Sequence, residues 1–165
     1  MKKLLQTILL LAVVYIFGSC SSESVESTNT AKSELVTEYN YNASELEVLQ
    51  LINKYRVSIG LNSLITVNHI SFKSEEHDNY MIANKAINHN DFVARSENII
   101  AVLGAKKVGE NIAYNYQTAE GVLKAWLDSP SHKQNIEGDY THFGIAVKID
   151  AETGKKYYTN IFAKI

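Results

Sequence analysis

The chain has 165 residues, 45% of them hydrophobic, with 16 basic and 18 acidic side chains and a net charge of −2. That length fits one domain with extensions rather than two full domains. The absence of a basic stripe excludes the electrostatic footprint of a nucleic-acid binder, and a single cysteine excludes an intramolecular disulfide, so the core alone must hold the fold.

Lys2 and Lys3 precede an apolar run from Leu4 to Phe17, broken only by Gln6 and Thr7, and Gly18 and Ser19 then lead to Cys20. A charged start, an apolar stretch shorter than the roughly 20 residues of a spanning helix, and small residues before a processing point describe a signal segment over 1–19. An uncleaved membrane anchor is the alternative. Cys20 resembles the lipidated cysteine of bacterial lipoproteins, with Phe17 and Ser19 where leucine and a glycine or alanine are commoner. Lipidation there would tether the mature protein to a membrane and locate it in the cell envelope, at the outer membrane or cell surface. Residues 20–43 read as a flexible tether, because Ser, Thr, Asn and Glu bury too little apolar surface to offset ordering entropy. Glu23 and Glu26 resemble surface-export signals placed after such cysteines. Without Lys2 and Lys3 the balance is 14 basic against 18 acidic groups, or −4.

A domain is expected over 44–165. Ser44 and Glu47 have capping-box spacing, Val48, Leu51, Ile52, Tyr55 and Ile59 recur at helical intervals, and Gly60 supplies a stop. A second helix is expected from about Ile70 to Lys85, with His77, Tyr80, Met81 and Asn84 on one face; there His77 reads as a satisfied core residue. From Asn88 to Lys107 the helical period fades, which suggests a loop with a short strand or helical turn near Glu97 to Leu103. Val108 to Tyr114 reads as a strand. Thr118 caps a helix through Val122, Leu123 and Trp126, and Pro130 suits the first turn of another. Phe143, Ile145, Val147 and Ile149 alternate, as do Tyr157, Thr159, Ile161 and Ala163, with turn chemistry from Asp150 to Gly154 between them. This pattern predicts a hairpin, and the order of elements predicts an α+β domain.

Several segments carry a family resemblance: Gln50 to Arg56 with Gly60-Leu61, Asn88-His89, Val108-Gly109-Glu110-Asn111-Ile112-Ala113, Trp126 through Ile136, and Phe143 to Val147. Together they resemble the CAP superfamily, which includes the cysteine-rich secretory proteins, antigen 5 and pathogenesis-related protein 1, in its short bacterial branch. The resemblance implies an α-β-α sandwich with a mainly antiparallel central sheet flanked by helices. It also implies a surface cleft, in which His89, Glu110 and His132 match three of the family's two histidines and two glutamates. Ser129 stands at the fourth place. Asn111 and Arg95 complete the expected ligand cleft.

Two imidazoles and a carboxylate suit a divalent metal such as zinc. No dedicated zinc spacing is present, so a water-filled polar cleft is an equal reading. Glu110 could instead tie a loop to the sheet, Asn111 could bridge loops, and Asn135 could serve the connection after the short helix. Trp126 reads as core. Arg95 could bind an anion or pair with Asp91 or Glu97, and Tyr114, Tyr116 and Tyr140 could line a groove. No nucleophile elbow or spare cysteine is present. The expected function is a binding or scaffolding module, acting as a monomer, and the resemblance implies small lipids as its ligands, with peptides as the other class. The alternatives are a metal-assisted hydrolase using His89, Glu110 and His132, and a protein-interaction module at the cell surface.

Overall fold

A computed structural model describes residues 34–165. The expected signal segment, Cys20 and the tether as far as residue 33 lie outside the described residues. Over the described part, five helices and four strands follow in the order α1 (Ala43–Ser58), β1 (Ile65–Thr66), α2 (Asn68–Ala83), α3 (Phe92–Leu103), β2 (Lys107–Tyr114), α4 (Ala119–Asp128), α5 (Pro130–Ile136), β3 (His142–Ile149) and β4 (Lys156–Lys164). The strands form one sheet in the order β1-β3-β4-β2. The predicted hairpin is β3 and β4, antiparallel with Ile145 opposite Asn160, while β2 runs antiparallel to the far side of β4 and β1 parallel to β3.

Alternation along the strands sends successive side chains to opposite faces. Phe143, Ile145, Val147, Tyr158 and Phe162 join Val48, Ile52, Val122, Trp126 and Ile136 in one core under α1, α4 and α5. Ile161 and Ala163 meet Ile70 and Ile99 on the other face, and Met81, Ile112 and Tyr157 extend that layer. This is the expected α-β-α sandwich. Gly144 lets α2 lie directly against β3, since a Cβ there would stand 2.7 Å from the Ile70 carbonyl carbon.

Several local expectations are corrected. The cap of α1 is Asn42, not Ser44: its side chain accepts from the Glu45 amide, and Glu45 accepts in return from the Asn42 amide. Glu45 also accepts from the Val147 amide at 2.9 Å, so the same carboxylate ties the helix start to β3. Ile59 lies past the last turn and is 46% exposed. Residues 34–42, expected within the tether, follow the domain surface instead: the Val36 amide donates to His69 Nδ1, Asn68 to the Thr37 carbonyl, and Tyr41 bonds Ser71.

The expected loop from Asn88 to Lys107 contains the twelve-residue helix α3. Its start carries no side-chain cap, because Asp91 sits in the left-handed region at φ 56°. Its inward stripe includes the buried Arg95 beside Ile99, so a cation interrupts the apolar period by which a helix is recognised.

Candidate functional site

β2 is an edge strand, and the site is built around its middle. Glu110 and Asn111 are neighbours on it and therefore face opposite sides of the sheet. Glu110 points toward α2 and α3, where its side chain is 1% exposed. Both carboxylate oxygens are engaged. Arg95 Nε donates to Oε2 at 2.9 Å and Arg95 Nη2 to Oε1 at 3.0 Å, while His89 Nδ1 donates to Oε1 at 2.8 Å. Arg95 Nη1 also holds the Asn90 carbonyl at 2.7 Å, fixing the loop that carries His89. A forked, charge-assisted pair of this kind supplies the compensation that a buried carboxylate needs. The two local acids considered for Arg95 are not its partners.

As an acceptor-only carboxylate, Glu110 sets the tautomer of His89. A proton therefore resides on Nδ1, which leaves Nε2 as the nitrogen free for a ligand; the side chain is 49% exposed. His77, read from sequence as core, is buried as expected and also serves the site. Its Nε2 donates to the carbonyl of Asn88, the residue before His89, at 2.8 Å, and its ring stacks on Tyr80. Burial lowers its pKa and keeps it neutral, with the nearby Glu110 opposing that shift.

On the other side of β2, Asn111 Nδ2 donates to the His132 carbonyl at 2.9 Å. Asn135 Nδ2 donates both to the Glu110 carbonyl at 3.1 Å and to Asn111 Oδ1 at 2.8 Å. Trp126 Nε1 donates to the Ile112 carbonyl at 2.9 Å. Asn135 and Trp126 thus cap carbonyls of the strand and bind α4 and α5 to it, a protection that edge strands require. Gly109 makes the approach possible, since a Cβ there would meet Asn135 Oδ1 at 2.7 Å. The His132 pKa is lowered first by burial and then by His89.

The expected residues divide accordingly. His89, Arg95 and Glu110 are directly bonded, Asn111 orients the α5 backbone, and His132 lies near His89. Ser129 instead lines a shallow groove of about 440 Å³ on the outer side of α4 with Tyr116, Gly121, Lys124, Ala125 and Asp128. Tyr140 is buried in the core and lines no groove. Sequence reasoning missed Arg56, which is fully buried and donates to the Ile136 and Gly138 carbonyls at the end of α5. Among the described residues no group of three or more His, Cys, Asp or Glu side chains is gathered closely enough to hold a metal ion. The donors do not fit a three-ligand zinc site, because Glu110 is spent on Arg95 and His89.

A family model described as "CAP: Cysteine-rich secretory protein family" matches residues 49–162. The chain is similar to the Bacillus subtilis membrane protein YlbC, 32% identical over 127 residues that cover 73% of this chain and 34% of that relative. It therefore spans about a third of the relative's length. Among solved structures it is similar to an outer surface protein from Borrelia burgdorferi, with a TM-score of 0.67 and 19% identity, covering 78% of this chain and 98% of that one. An extracellular SCP-domain protein from Bacillus anthracis gives a TM-score of 0.64 and 22% identity, covering 74% and 40% of the two chains. At those identities the likeness is one of fold.

Proposed function

We propose, starting from the fact that this chain belongs to the CAP family of cysteine-rich secretory proteins, that it is an envelope-displayed binding module rather than a metal-assisted hydrolase. The observation that carries this reading is the state of Glu110. A general base must reach the proton it abstracts with a free lone pair, yet both oxygens of this carboxylate are occupied and its side chain is 1% exposed. The group left facing the cleft is an oriented imidazole, His89, with His132 nearby. Ser129, at the place of the family's second acid, faces a groove and offers no carboxylate.

The tautomer gives the cleft a ligand preference. With the ring neutral, His89 Nε2 accepts a hydrogen bond, so it suits a small lipid with a hydroxyl head or a peptide N–H, and a carboxylate head would face lone pair against lone pair. Display on the envelope is supported by the signal-like segment ending at Cys20 and by similarity to proteins described as membrane, outer surface and extracellular. The test is a calorimetric titration of the protein with a long-chain alcohol and with the fatty acid of the same length. The alcohol should bind more tightly, and His89→Ala should remove the difference. Equal binding of the two, or a preference for the acid that survives His89→Ala, contradicts the reading.

A further inference from the structure

We infer that Arg95 keeps divalent cations out of this cleft by occupying a position a metal would otherwise take, and that removing its guanidinium unmasks His89 and Glu110 as cation ligands. The inference concerns metal exclusion and stands whatever ligand the cleft recognises, so its failure and that of the binding reading can be told apart.

The argument begins with distances. A nitrogen and an oxygen that share a tetrahedral zinc ion each lie about 2 Å from it and hence about 3.3 Å from one another. His89 Nδ1 and Glu110 Oε1 already stand 2.8 Å apart, so a small outward movement of either would seat an ion between them. What they lack is room and charge. Arg95 Nη2 occupies the same oxygen at 3.0 Å and Nε holds the other at 2.9 Å. A dication arriving at Oε1 would meet the guanidinium within the same shell, at a site with little water to screen the repulsion.

The chemistry of the pair sharpens the point. The guanidinium is charged at every accessible pH, and its planar fork matches a carboxylate edge. It therefore performs the charge-balancing part of a metal's role toward Glu110 without offering a Lewis acid or an open coordination position. His89 keeps its proton on Nδ1 as a consequence, since that nitrogen faces a carboxylate and not a cation. A lysine in place of Arg95 would retain the charge and only one point of contact, so it should still exclude the ion.

The experiment titrates the whole chain with zinc chloride by calorimetry and repeats the titration on Arg95→Ala, Arg95→Lys and the double variant Arg95→Ala with Glu110→Gln. Circular dichroism checks that each is folded. Changes around a metal ligand alter affinity by about 10- to 100-fold. Arg95→Ala should therefore bind zinc at least about tenfold more tightly than the unaltered protein, and the gain should vanish in the double variant and be absent in Arg95→Lys. Zinc should also raise the melting temperature of Arg95→Ala while leaving that of the unaltered protein in place, because a ligand stabilises only the state that binds it. A purely structural Arg95 would make the alanine variant less stable with or without zinc. If Arg95→Ala fails to fold, Arg95→Gln replaces it, and Glu110→Gln alone in the unaltered background should leave zinc affinity unchanged. The inference is overturned if neither uncharged Arg95 variant binds zinc more tightly than the unaltered protein. It is equally overturned if Glu110→Gln alone weakens zinc binding tenfold, since Glu110 would then already be a ligand.

Discussion

Asp78 is fully enclosed between α2 and the sheet, where Oδ1 accepts from Thr159 Oγ1 at 2.6 Å and Oδ2 has no hydrogen-bond partner. Burial raises its pKa well above the ordinary carboxylate range, with Thr159 opposing. The folded protein then holds this proton more tightly than the unfolded chain, so its contribution to stability falls as pH rises from about 4 toward the raised value. Four of the five histidines act in the opposite sense: burial lowers the pKa values of His69, His77, His132 and His142. The folded state resists protonating them, so stability is lost as pH falls below about 6.5. Asp78→Asn should therefore stabilise the protein at pH 7, because it removes a group whose burial disfavours its charged form. The gain should shrink toward pH 4, leaving the histidine-driven loss steeper on the acid side. Urea unfolding across that range checks it, and a variant no more stable than the original at pH 7 contradicts it. Asp78 was not legible as special in the sequence because enclosure is set by Thr159, 81 positions away. The partner of Arg95 is hidden in the sequence for the same reason: Glu110 lies 15 residues on, across a helix-to-strand packing and beyond the local acids Asp91 and Glu97.

At the scale of elements, the hairpin was readable because Phe143, Ile145 and Val147 recur at every second place in β3, Tyr157, Thr159, Ile161 and Ala163 do so in β4, and one turn joins them. The helix α3 was not, because Arg95 occupies its inward face and its start lacks a capping side chain. The two-residue strand β1 is too short to leave a periodic trace. Its pairing follows from the packing of its neighbours. Trp126 was correctly read as core, but the sequence could not reveal that its indole N–H and the Asn135 amide close the outer edge of β2, because both bonds join elements separated in the chain. Removing a donor from a buried acceptor costs about 1–3 kcal/mol. Asn135→Ala should lower stability by that amount and loosen α5, which exposes the β2 amides to faster hydrogen exchange near Glu110. Unchanged exchange at those amides would show that the cap is incidental.

Among the described residues, two helical layers close over one small sheet, and the bonded group of His89, Arg95 and Glu110 lies at its edge strand β2. His89 comes from the loop between α2 and α3, and His132 from α5 beyond the opposite face, so only the closed sandwich brings them near. The motifs around Glu110 and His132 were legible as a family pattern; the roles within it were not, because they depend on which oxygen faces which donor. The expected address, which rests on Cys20 and the segment before it, is tested by Cys20→Ala, which should release the protein from the membrane fraction. Unchanged fractionation would remove the lipid anchor from the account.

The central claim, that the cleft recognises rather than hydrolyses, is met most directly by a rate comparison. The unaltered protein and a His89→Ala, His132→Ala variant are incubated with zinc and with general peptide and ester substrates. A positioned acid or base contributes roughly 10²- to 10⁴-fold to rate, so a working site would stand well clear of the variant. The account predicts equal rates at the uncatalysed background for both proteins; a zinc-dependent rate at least 100-fold above the variant would contradict it.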